Sequence, residues 1–213
     1  IRDQDASALG GLWLQEEPTK EAVLEEILAQ DLTPYAEIVF CGYGEPTCRA
    51  DDLFWICDQL HAAGRADLPP IRLNTNGHGS LINHRDITPE LAGRLDAVSV
   101  SLNGSNKEEY LRLTRPGAGE KGWQAMLDFV RGAAQCVPKV MVSIVDYDKT
   151  PQEIEACGSW PRAWAPSSGC GPLRGEMGET LCNTANFLRN KWEISCLFAF
   201  LTRPCLVPYN EEQ

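Results

Sequence analysis

The nine cysteines of this 213-residue chain include no CxxC pair and no CxxxCxxC triplet. That pattern excludes, from the printed residues, both a zinc knuckle and the three-thiolate loop that binds an iron–sulfur cluster. Positive charge is scarce too. A formal net charge of −11 argues against direct nucleic-acid binding, which needs a local excess of Lys and Arg to meet the phosphates. Long apolar runs are missing as well. The longest, 196–201, falls far short of the roughly 20 residues that cross a bilayer, and no basic and apolar leader opens the chain. These absences read as a cytoplasmic chain with reduced thiols and no membrane partner.

What is present is an apolar content of 43%, enough for the core of one domain. From residue 18 to residue 157 strands and helices alternate, the pattern that builds a parallel sheet covered by helices. Pro18 and Thr19 open a helix whose Ala22, Val23, Ile27 and Leu28 are expected on one face. Strands are expected over 37–41, 71–75, 97–102 and 140–145, the last so apolar that it reads as buried on both faces. Helices are expected over about 50–63, from an N-cap at Thr88 with Pro89 behind it, and over 107–113 and 121–134, split by the breaker Arg115, Pro116, Gly117. Thr150 and Pro151 start another.

Residues 158–213 read differently. They hold no aspartate, and the alternation of strand and helix is no longer legible. Back-translated with a choice among the allowed codons and read one base earlier, 158–171 can yield RKLAQSLGAEFRVW, an amphipathic helix, a glycine stop and a strand, which is the element the preceding pattern calls for. The division is therefore a core of 1–157 and an irregular tail of 158–213 that is out of frame or non-native. An ordinary irregular segment is the alternative.

In each unit Gly, Asn, Ser and Glu gather just past the strand's carboxyl end, where α/β folds bind ligands. The turns are Gly42, Tyr43, Gly44, Glu45, Pro46; then Asn74, Thr75, Asn76, Gly77; then Ser99, Ser101, Asn103. Taken singly, each also reads as a helix-starting turn or a cap. Taken in order, the first resembles the GGEP motif with which the second strand of radical S-adenosylmethionine (radical SAM) enzymes holds the methionyl amino group of SAM. The second is similar to their third-strand TNG stretch, and the third to the fourth-strand segment that contacts the SAM ribose and carboxylate. With CGYGEPT, LNTNGHG, DAVSVSLN and RPGAGEK together, 11–157 resembles the radical SAM proteins associated with TatD-type nucleases.

The resemblance implies a partial (β/α)6 TIM-like barrel, incomplete at both ends, and two cofactors, SAM and a [4Fe–4S] cluster. It implies that the cluster's CxxxCxxC loop precedes residues like Ile1 and Arg2. The implied reaction is reductive cleavage of SAM to a 5′-deoxyadenosyl radical that abstracts hydrogen from a substrate the sequence does not name. An electron donor such as flavodoxin or ferredoxin, and a functional link to a TatD-type nuclease, follow as partners. Glu45 is expected to orient SAM, not to act as a general acid. Two alternatives stay open: a barrel hydrolase or lyase using Glu45 with a histidine, and an inactive truncated or frame-shifted product. Of the other polar residues, His61 reads as a surface or packing residue and His78 and His84 as loop residues within reach of a substrate. Arg85 with Asp86 reads as a charge pair, and Cys41 as a buried strand thiol.

Overall fold

The computed structural model describes residues 16–42, 44–144, 149–152, 154–156 and 196–199. The first helix, α1 (Lys20–Ala29), begins where the sequence places it. The Thr19 hydroxyl accepts a hydrogen bond from the Ala22 amide at 3.2 Å, satisfying a donor that has no partner inside the helix. Val23 and Ile27 are buried, with Leu24 and Leu28 packed beside them. Ala22 is exposed, against expectation, because a stripe running through 23, 24, 27 and 28 leaves position 22 almost opposite it.

Five strands follow: β1 (Glu37–Phe40), β2 (Ile71–Thr75), β3 (Ala97–Ser101), β4 (Lys139–Ser143) and β5 (Cys196–Ala199). They form one parallel sheet in the order β4-β3-β2-β1-β5. Among the described residues β4 and β5 are its two outermost strands. β5 is the one described element of the tail, and it pairs with β1 along Glu37 to Phe40. The connections carry α2 (Ala50–Ala62), the single turn α3 (Gly79–Ile82), α4 (Lys107–Thr114) and α5 (Glu120–Cys136). A hydrogen bond from Ile154 N to Thr150 O begins a further helical turn.

β1 to β4 lie side by side in chain order without reversal. Since crossovers between parallel strands are almost always right-handed, this order sends the connecting helices to one face. The burial pattern agrees. Ile38 and Phe40, Ile71 and Leu73, Val98 and Val100, and Val140 join α1, α2 and α5 in a single apolar core. Each fully buried aliphatic or aromatic side chain there contributes roughly 1.5–3 kcal/mol. The alternate positions make the opposite face, which is mixed: Glu37, Arg72, Asn74, Ser99, Ser101 and Ser143 are its polar members, beside the apolar Val39, Ala97 and Met141, with Val39, Ala97 and Ser99 buried. β4 is therefore not buried on both faces: Val140 alone of its five residues is buried, and among the described residues only β3 pairs with this strand.

Two further expectations are corrected. Thr88 opens only one turn, Thr88–Leu91, and caps nothing with its side chain. Its hydroxyl and amide both donate to the Asp86 carboxylate, at 2.7 and 3.0 Å, so Asp86 is engaged there and Arg85 pairs with Asp51 and Glu90 instead. No helix among the described residues is long and apolar enough to cross a membrane.

Candidate functional site

Parallel strands deliver the turns that follow them to one edge of the sheet. After β1 the chain passes Gly42 and Gly44 and reaches Glu45, whose extended backbone precedes the tight turn Pro46–Arg49. The Glu45 carboxylate caps that turn, accepting from Thr47 N at 3.1 Å and Thr47 Oγ1 at 2.6 Å. It also accepts from the neighbouring unit: Thr75 Oγ1 at 2.7 Å and Asn76 N at 2.8 Å. Glu45 is only 8% exposed. Burial pushes its carboxyl above the usual carboxylate range, and the four donors oppose that shift without cancelling it.

This geometry makes Glu45 a clamp between two turns. Three donors converge on Oε1 and one on Oε2. A carboxylate so occupied is a poor proton shuttle, and His78, the nearest histidine in sequence to Asn76, bonds elsewhere, to Tyr110. His61 meets the Arg94 carbonyl at 3.1 Å, and His84 is an exposed loop residue with φ of 52°.

The other expected site residues fall into three places. On the rim stand Gly42, Gly44, Asn76 and Asn103. Asn76 closes its own turn by accepting His78 N on Oδ1 at 2.8 Å. Asn103 adopts φ of 56°, a left-handed conformation that Asn tolerates better than most residues. Its amide and that of Leu102 both reach the Ser143 carbonyl, at 3.3 and 2.9 Å, tying the β3 turn to the end of β4. On the mixed face stand Asn74, Ser99 and Ser101, with Asn74 beside Ser99 and Ser101 beside Ser143 in register. Beneath the rim, buried, lie Glu45, Pro46 and Thr75. Tyr43 lies outside the described residues.

Thr75 shows why strand parity matters. Ile71 and Leu73 face the helices, so Thr75, two residues on, faces them as well, and its hydroxyl reaches Glu45 from below. Its contribution is to fix the clamp.

Sequence reasoning did not single out four further groups. Thr47 completes the clamp. The bidentate pair of Arg72 with Glu37, at 2.9 and 2.6 Å, floors the mixed face, and Arg72 also donates to Asn74 Oδ1 at 3.1 Å. Glu109, in the first turn of α4, accepts from Ser105 N at 2.6 Å and Oγ at 2.7 Å and forms an ion pair with Lys149. The side chains of this pair are 10% and 4% exposed, and the Lys149 ammonium lowers the Glu109 carboxyl to about 2. Tyr110 is the fourth. Of these only Thr47 had a sequence signal, a hydroxyl two residues past an acidic turn residue. The rest join positions too far apart in the chain for spacing to reveal.

The thiols among the described residues are dispersed. Cys57 is buried, which pushes it up to about 12, while Cys48, Cys136 and Cys41 are half-buried, the last just past β1 and not within it. Among the described residues no three His, Cys, Asp or Glu side chains gather as a metal site. Comparisons with family models, with curated proteins and with solved structures find no match for this chain.

Proposed function

We propose that this chain is the SAM-binding part of a radical SAM enzyme, its sheet a portion of a TIM-like barrel. The observation that carries the reading is the bond from Asn76 N to Glu45 Oε2, which joins the GEP turn of one unit to the TNG turn of the next. Two motifs recognised separately in the sequence thus meet at a single carboxylate. The barrel reading draws on the parallel sheet with its helices on one face and on the polar side chains Arg72, Asn74, Ser99 and Ser101 among those of the other, since a barrel interior that receives a cofactor needs hydrogen-bonding groups.

The donor set suits SAM. Its ammonium and carboxylate need close backbone approach and small polar partners, which Gly42, Gly44, Asn76 and Asn103 provide along the rim. Its ribose hydroxyls need partners such as Ser99, Ser101 and Asn74 on the mixed face. Glu45 works through the turns it fixes. Bound SAM, once reductively cleaved, supplies hydrogen-abstracting chemistry. The described residues hold no ligand set for the cluster that delivers the electron, so no electron-transfer step is assigned to them. Flavodoxin or ferredoxin as donor, and a TatD-type nuclease as functional associate, belong to this reading as properties of the enzyme class.

Equilibrium dialysis of the purified chain against radiolabelled SAM tests the proposal. Saturable uptake with a Kd on the order of 10 μM, about −7 kcal/mol, is expected, with ATP competing weakly. No saturable uptake up to about 1 mM, or equal uptake of ATP, contradicts it.

A further inference from the structure

His78 and Tyr110 form a hydrogen bond that the clamp does not require. Nε2 of His78, in the turn after β2, lies 2.8 Å from the hydroxyl of Tyr110, on α4 beyond the β3 turn, 32 residues away. Tyr110 is 1% exposed, with its ring tilted against Trp123 at a centroid distance of 5.1 Å. Two glycines make the arrangement possible. A Cβ on Gly122 of α5 would stand 3.1 Å from His78 Nε2, so its absence leaves room for the imidazole. A Cβ on Gly104 would stand 2.5 Å from Tyr110 N, closer than atoms pack, so the β3 turn rests directly on the backbone of Tyr110.

The contacts form a continuous path across the rim. Glu45 Oε2 accepts from Asn76 N, Asn76 Oδ1 accepts from His78 N, His78 meets the Tyr110 hydroxyl, and the backbone of Tyr110 supports Gly104 beside Asn103. α4 is itself fixed at this end, where Asn106 caps it by accepting from Glu109 N at 2.9 Å. We propose that His78 and Tyr110 are positioning residues: their hydrogen bond sets the turn carrying Asn76 against the turn carrying Asn103, and so fixes the width of the ligand site. This rests on the reading of the rim as a SAM site. Neither side chain need touch the ligand. A histidine and a tyrosine in mutual contact under two polar turns hold a spacing that apolar packing alone sets less sharply, because a hydrogen bond is directional.

Tyr110→Phe removes one hydroxyl and keeps the ring. It is tested in the whole chain by residue-resolved amide hydrogen exchange and by SAM dialysis, beside His78→Ala and the double variant. In Tyr110→Phe the amides of 76–79 and 103–105 are expected to exchange about tenfold faster while those of β2 and β3 keep their rates, and the Kd for SAM to rise about tenfold. The double variant is expected to be no worse than His78→Ala, because the two residues act through one bond. Unchanged exchange at either turn, faster exchange spread evenly over the strands, or strictly additive effects in the double variant overturns the proposal. If the wild-type chain takes up no SAM, the SAM reading falls, and the exchange and cycle results still decide whether the brace exists.

Discussion

Thr75 donates its hydroxyl to Glu45 at 2.7 Å across 30 residues of sequence, and the very next amide, Asn76 N, takes the other carboxylate oxygen at 2.8 Å. A strand end and the turn that leaves it are thus held by one buried side chain belonging to the previous unit. The arrangement requires an acceptor at all four positions. Replacing the carboxylate by an amide reverses the polarity of one end.

Glu45→Gln is therefore expected to leave a donor facing a donor beneath the rim. The cost is about 1–3 kcal/mol, the usual consequence of a buried hydrogen-bonding group without a partner. Urea denaturation followed by circular dichroism measures it, with the midpoint falling and the slope unchanged. SAM uptake is expected to fall at least about tenfold, since the turn carrying Asn76 loses its anchor.

Asn103 separates backbone from side chain. Its left-handed φ of 56° is one that Gly adopts freely and Val adopts at a cost of roughly 1–2 kcal/mol. Asn103→Gly is expected to stay within about 0.5 kcal/mol of wild type while weakening SAM binding, whereas Asn103→Val is expected to lose both. Denaturation midpoints and dialysis on the two variants check this. Equal SAM binding by wild type and Asn103→Gly removes the side chain from the site.

Acid stability is expected to depend on Glu109. Its carboxyl, ordinarily at 4.5, is held at about 2, chiefly by its bond to Lys149. The folded chain thus holds this proton less readily than the unfolded chain. The stability that the pair contributes is fully present above 4.5 and is lost as pH falls from there toward about 2. Glu109→Gln leaves the Lys149 ammonium nearly buried without its partner and is expected to cost about 3 kcal/mol at neutral pH. It is also expected to flatten the acid limb of a stability-against-pH curve measured by urea denaturation between pH 2 and pH 7.

How much of this was legible in the chain follows from the range of each interaction. Strands 71–75 and 97–101 are marked by local apolar alternation, and the Thr19 cap by one residue type at one position, so both follow from neighbours a few residues apart. The three polar turns were legible for the same reason, and parallel strands bring them to one edge. What each side chain does there was not. Thr75 reads as a rim residue in the string LNTNG, and only its parity with Ile71 and Leu73 turns it inward. Arg72 with Glu37, Glu109 with Lys149 and His78 with Tyr110 pair across 32 to 40 residues. Neither propensity nor periodicity carries that information, because sheet register and helix placement create those contacts.

The most direct measurement is an amide chemical-shift map of the isotope-labelled chain titrated with SAM. Perturbations that saturate together at Gly42, Gly44, Asn76, Ser101 and Asn103, and leave α1 and α2 unmoved, are the predicted result. Shifts that are absent, scattered over the helix-covered face, or confined to one turn would contradict a single SAM site on this edge of the sheet.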